Sequence, residues 1–203
     1  MVAIIDYGLG NLGSIYNMLK KIGETEIFIT SNKVDISMAD KIILPGVGSF
    51  DSGINNLKEL DLIDLLTEEV FIKGKNFLGI CLGMQLLFTS SEEGSELGLN
   101  WIKGNVNKFT PSTKYRVPNM GWNYVEKKKD CLLFNNLELN SKFYFVHSFY
   151  VKCEDPDNVC GVSSYGIEFD AVVNKNNIWG VQFHPEKSHR FGKQLLRNFL
   201  ANN

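Results

Sequence analysis

The chain has 203 residues, 44% hydrophobic and 22% charged, the balance of an ordinary soluble globular protein with enough mass for one well-buried core. Its formal net charge is −2 with no basic block, so charge offers no case for nucleic acid or for a membrane surface. No apolar run approaches membrane-spanning length, and the four cysteines form no CxxC pair, so reduced thiols in a cytoplasm are expected.

The opening MVAIIDYGLG has no basic flank and runs straight into Asp6, so residues 2–5 read as a strand rather than part of a signal peptide. The run is continuously apolar, which suits a strand buried on both faces. Residues 11–22 carry Leu12, Ile15, Tyr16, Leu19 and Ile22 at helical spacing. A second strand is predicted over 26–30 and a third over 41–44, stopped by Pro45 and Gly46. Residues 51–73 read as mostly helical with a break near Asp61, followed by a strand over 76–80 and a helix over 82–89. Strands alternating with helices imply a mostly parallel sheet covered on both faces. The second half changes character: strands are predicted over 117–126, 143–153, 159–164, 168–174 and 178–183. Several are separated by Asn or Gly turns such as Lys175-Asn176-Asn177. They read as antiparallel additions, closed by a helix from about 189 to 200. With no repeat or long linker, residues 1–203 are expected to form one domain.

The strongest local signal is Gly79-Ile80-Cys81-Leu82-Gly83, where an apolar strand runs in and a helix runs out. The turn is tight, and flanking glycines relieve its crowding. A sulfur at a helix N-terminus is favoured as thiolate, and the Leu82 N–H can point at a developing oxyanion. A cysteine that only filled the core would need neither glycine. Cys131, Cys153 and Cys160 lack this setting and read as structural or incidental.

A cysteine nucleophile needs a base. Of the three histidines, His184 stands in Val181-Gln182-Phe183-His184-Pro185-Glu186, at the carboxyl end of a strand, where open parallel sheets gather their catalytic groups. Glu186 shares a face with it if the backbone is extended, and can hold the imidazole tautomer. The chain order Cys, His, Glu disfavours the α/β-hydrolases, whose triad ends in histidine. His147 lies in the apolar run 143–150 and reads as a wall of a pocket, while His189 reads as exposed. The loop Pro45-Gly46-Val47-Gly48-Ser49-Phe50 can add a second oxyanion donor, from Val47 or Gly48. Gly8, Gly10 and Gly13 match the G-x-G-x-x-G dinucleotide pattern. However, Asp6 and Tyr7 separate the strand from it, and the second strand ends in Thr30-Ser31-Asn32 without a ribose-binding acid. No Walker motif or metal-ligand spacing is present, so no cofactor and no metal are expected.

Taken together, IDYGLGNLGS, LPGVGSF, GICLGMQLLF with SEEG, VPNMGWN, YFVHSFY and GVQFHPEKS resemble the class I glutamine amidotransferases along essentially the whole chain. Within them the chain is similar to the HisH-type glutaminase subunits of imidazole glycerol phosphate synthase, through PGVG, PNMGWN and HPEKS. The resemblance implies a flavodoxin-like open sheet and attack of Cys81 on the carboxamide of glutamine. His184 would protonate the leaving ammonia and then activate water. It assigns Gln85, Glu93, His147 and Ser148 to the glutamine pocket; Gln85 lies one helical turn beyond Cys81 and faces the same mouth. It also implies a heterodimer with a (β/α)8-barrel cyclase, the HisF-like subunit, which receives the ammonia out of contact with water. Asn11, Met120, Trp122, Tyr144 and Lys187 are assigned to docking or gating. The isolated chain is then expected to be a poor glutaminase until docking turns the Val47 peptide into the oxyanion hole. The stretch SHRFGKQLLRNF is similar to a paralogous branch that feeds amidation of a nucleotide-linked surface sugar, so the ammonia acceptor has two readings. Two further alternatives are a stand-alone γ-glutamyl cysteine hydrolase and a non-enzymatic binding module; an intact Cys81, His184 and Glu186 speak against the latter.

Overall fold

The computed structural model describes residues 1–138 and 141–201. The first half runs β1 (Val2–Ile5), α1 (Leu12–Lys21), β2 (Ile27–Thr30), α2 (Lys33–Met38), β3 (Lys41–Gly46), α3 (Phe50–Glu59), α4 (Ile63–Thr67), a π-helical turn Glu68–Ile72, β4 (Asn76–Cys81) and α5 (Leu82–Gln85). The second half runs β5 (Ser90–Ser91), β6 (Gly104–Lys108), β7 (Asn119–Tyr124), β8 (Glu126–Lys127), β9 (Lys142–His147), β10 (Phe149–Cys153), β11 (Val159–Tyr165), β12 (Ile167–Lys175), β13 (Ile178–Val181), a 3-10 turn Pro185–Lys187 and α6 (His189–Ala201).

The main sheet follows the order β2-β1-β3-β4-β13-β12-β10-β6-β5, with β11 and β8 attached beside β12. It is parallel from β2 to β13 and antiparallel from β13 through β12 and β10 to β6. Period-2 alternation sends Ala3, Ile5, Ile42 and Leu44 to one face and Val2, Ile4 and Ile43 to the other. The first face packs under Ile54 and Leu57 of α3, the second under Ile15 and Leu19 of α1 and Leu195, Leu196 and Phe199 of α6. Burial on both faces is why β1 reads as an unbroken apolar run.

Several predicted boundaries move. Pro45 and Gly46 do not stop β3, which stays paired with β4 as far as Gly46 opposite Cys81. The predicted helix 82–89 is one turn long, and β5 and β6 follow where no strand is predicted. The break near Asp61 is real, at φ 50°. Helix α2 escapes prediction because only Ile36 is buried while Val34 and Met38 face outward, which leaves no helical apolar stripe. The run 143–153 divides at Ser148: β9 joins β7 in a separate two-stranded sheet and β10 joins β6 in the main one. No helix among the described residues is long and apolar enough to cross a membrane.

Candidate active site

Strand register places the site. In the neighbours β3, β4 and β13, Gly46 stands opposite Cys81 and Val181 opposite Ile80. The loop leaving β3 therefore passes one side of Cys81, and Gln182 to His184 leave β13 on the other. All three segments lie beyond the carboxyl ends of parallel strands.

Cys81 sits at φ 54° and ψ −109°, a conformation that is costly for a residue with a side chain. The glycines make the elbow possible. A Cβ on Gly79 would lie 2.6 Å from the Gly83 carbonyl oxygen, and one on Gly83 would lie 1.8 Å from that of Leu44. Cys81 keeps 7% of its surface exposed and opens into a cavity of about 270 Å³. Val47, Gly48, Leu82, Gln85, Glu93, His147, Ser148 and His184 line the same cavity. Nine predicted site residues, Cys81 included, thus meet in one space, and Glu186 stands behind His184.

The His184 backbone is pinned: its N–H donates to the Tyr144 carbonyl at 2.9 Å, and its carbonyl accepts from Ser188 Oγ at 2.6 Å. Its Nδ1 lies 2.8 Å from Glu186 Oε1, with the two side chains 3% and 2% exposed. The expected route to this contact is wrong in one respect. The chain after His184 is not extended; Pro185–Lys187 forms a 3-10 turn that folds the carboxylate back onto the ring. Among the described residues Nε2 has no hydrogen-bond partner of normal geometry, and it faces Cys81, as in many apo sites whose catalytic hydrogen bonds are still open. Burial pushes the imidazole toward neutrality, but hydrogen bonding and charge from Cys81 and Glu186 prevail and raise its pKa to about 10.

His147 is the opposite case. Its Nδ1–H donates to the Phe149 carbonyl at 2.8 Å, and its Nε2 accepts from Asn119 Nδ2 at 3.0 Å. Burial lowers its pKa to about 4, the Phe149 bond opposes this, and the charge of His184 adds to it. It forms a neutral wall. Glu93 is half committed, with Oε2 accepting the first N–H of α3, from Phe50, at 2.8 Å. The Nε2 of Gln85 donates to the Phe149 carbonyl at 3.0 Å and to Gln182 Oε1 at 3.1 Å, which leaves its oxygen to meet a ligand.

Two residues at the site are missed by the sequence reading. Gln182 is fully buried, with Nε2 3.8 Å from Cys81 Sγ. A lone amide between Val181 and Phe183 at the end of an apolar strand is the signal that marks it. Tyr7 is 1% exposed, its hydroxyl has no hydrogen-bond partner among the described residues, and it packs so closely on the end of β3 that a Cβ on Gly46 would lie 2.3 Å from it. Burial first, then the Cys81 charge, hold that hydroxyl neutral.

The residues assigned to docking gather beside the cavity mouth. Asn11, Val47 and Lys187 line one shallow basin, although the Asn11 side chain also caps α1 by accepting from Ser14 N. Lys187 Nζ lies 5.8 Å over the Tyr144 ring, and Trp122 meets that ring edge-on at 5.9 Å and stacks on His189 at 5.2 Å. Met120 and Trp122 are 62% and 45% exposed. Cys131, Cys153 and Cys160 are free thiols that do not line the cavity.

The family model described as glutamine amidotransferase class-I matches residues 3–203. A Methanococcus maripaludis protein named imidazole glycerol phosphate synthase subunit HisH 2 is 56% identical, covering 98% of each chain. A Pseudomonas aeruginosa protein of the same name is 46% identical over the same shares. A crystal structure of a glutamine amidotransferase superposes with a TM-score of 0.74 at 18% identity, covering 98% of this chain and 97% of that one, which is a likeness of fold.

Proposed function

The chain belongs to the class I glutamine amidotransferase family, and on that premise we propose that it is the glutaminase subunit of an imidazole glycerol phosphate synthase. All 203 residues act as one glutaminase unit. Glutamine enters the cavity with its ammonium toward the free oxygen of Glu93 and its carboxamide over Cys81. The sulfur attacks the carboxamide carbon. The developing oxyanion is met by the N–H of Leu82 and by one from the Val47–Gly48 loop. His184 gives its proton to the departing ammonia, leaving a glutamyl thioester, and then takes one from the water that releases glutamate. Glu186 holds the imidazole by Nδ1, so that Nε2 carries the proton traffic.

One observation carries this reading: the Nε2 of His184, without a hydrogen-bond partner among the described residues, and the strained Cys81 line the same cavity, with the other ring nitrogen anchored by Glu186. The names of these relatives, subunits of imidazole glycerol phosphate synthase, support a role in histidine biosynthesis beside a second subunit. In this reading the second subunit is a (β/α)8 cyclase that receives the ammonia. A partner gives the released ammonia a use, because ammonia that escapes to water becomes ammonium and loses its nucleophilicity. The test is glutamine turnover by the chain with and without the cyclase, beside Cys81→Ser. Turnover is expected to rise on docking. It should fall about a thousandfold or more in the variant, with folding and docking retained. Equal turnover with and without the cyclase would remove the dependent subunit, and an active Cys81→Ser would remove the nucleophile.

A further inference from the structure

Gln182 occupies a place where an apolar side chain would be buried without polar cost, yet its amide is 0% exposed, with a partner on its oxygen and one on its nitrogen. Its position follows from register: with Val181 opposite Ile80, the next residue on β13's path stands beside Cys81. Which end of the amide faces the sulfur is decided two links away. The Phe149 carbonyl can only accept, so the nitrogen of Gln85 turns toward it at 3.0 Å. The same nitrogen donates to Gln182 Oε1 at 3.1 Å. With its oxygen occupied, Gln182 presents Nε2 to Cys81 Sγ at 3.8 Å.

Resting on the glutaminase reading above, we propose that Gln182 is a positioning residue for the nucleophile: its N–H, oriented through Phe149 and Gln85, holds the Cys81 sulfur as an aimed thiolate. A hydrogen bond to an ionised acceptor is roughly twice as strong as one between neutral groups, so this donor favours the charged nucleophile over the thiol. It adds no charge of its own. Other groups also face the sulfur or share its cavity. His184, backed by Glu186, comes from the segment between β13 and the 3-10 turn, Tyr7 from the segment just after β1, His147 from β9 and Glu93 from the loop after β5. Tyr7 and His147 stay neutral near neutral pH, and His184 supplies the counter-charge.

The test is the pH dependence of Cys81 alkylation by iodoacetamide, read on the Cys81 peptide by mass spectrometry so that the other thiols do not contribute. It needs neither glutamine nor a partner. In Gln182→Met, which keeps bulk and loses the donor, the profile is expected to move about one pH unit upward. Alkylation at a fixed pH below the midpoint then slows about tenfold. Glutamine turnover should fall with little change in KM. Gln182→Glu keeps an acceptor for Gln85 and sets a negative charge against the sulfur; its profile should move further in the same direction, and it carries the test if the Met variant does not fold. An unmoved profile in either folded variant overturns the proposal. A moved profile in a chain that never hydrolyses glutamine, with or without the cyclase, would leave the Gln182 contact standing and sink the glutaminase reading instead.

Discussion

Two histidines in one cavity are driven in opposite directions by their neighbours, and that separates their roles. His147 meets a carbonyl and an amide and is neutral; His184 meets a sulfur and a carboxylate and is held charged. The His184 pKa of about 10 lies above its unfolded value near 6.5. Its proton therefore stabilises the fold fully below about pH 6.5, and that contribution is lost as pH rises through about 10. In Cys81→Ala the sulfur is gone, and burial is opposed by Glu186 alone. Nuclear magnetic resonance titration of the His184 ring should then give a pKa lower by about one unit or more. The loss of thermal stability between neutral and alkaline pH should be shallower than in the wild type. A titration identical in both chains would show that sulfur and imidazole do not interact.

At the scale of elements, the elbow between β4 and α5 concentrates the constraints. Glycine ordinarily costs about 0.5–1 kcal/mol relative to alanine inside a regular element. At Cys81, with φ 54°, the sign should invert, because strain of this kind costs about 1–3 kcal/mol and glycine releases it. Cys81→Gly is expected to be more stable in urea unfolding than Cys81→Ala by about 1 kcal/mol, with both inactive. A glycine variant weaker than the alanine variant would show the nucleophile's backbone to be relaxed. Alanine at Gly83 has no such freedom, since its Cβ would enter the Leu44 carbonyl and part β3 from α5.

Across the whole molecule, the small β7–β9 sheet brings an exposed apolar face beside the cavity at the end of the main sheet. On β7 the alternation leaves Met120, Trp122 and Tyr124 outward, with Met120 opposite Val146 of the cavity lining. An exposed aromatic and thioether pair of this kind is suited to the buried centre of an interface. If the proposed cyclase docks on this face, Trp122→Asp is expected to weaken its binding about a hundredfold in isothermal titration calorimetry. The melting temperature of the isolated chain should stay close to wild type. Undiminished binding would put the docking face elsewhere.

The sequence by itself determined the family, the candidate site residues and the parallel half of the fold, because all three are written locally. Cys81 is marked by glycines within two positions on each side, His184 by the proline that follows it, and β1, β3 and β4 by continuous apolar runs. Only the tertiary structure decided what depends on partners distant in the chain. Ser148 divides one apolar run between two sheets because β9 and β10 find different neighbours. Glu186 reaches its histidine through a turn that the extended reading of the strand did not foresee. Gln182 and Tyr7 acquire meaning from the register of β13 against β4 and from the packing of the Tyr7 ring against the end of β3 at Gly46, contacts between segments far apart in the chain that no local spacing records.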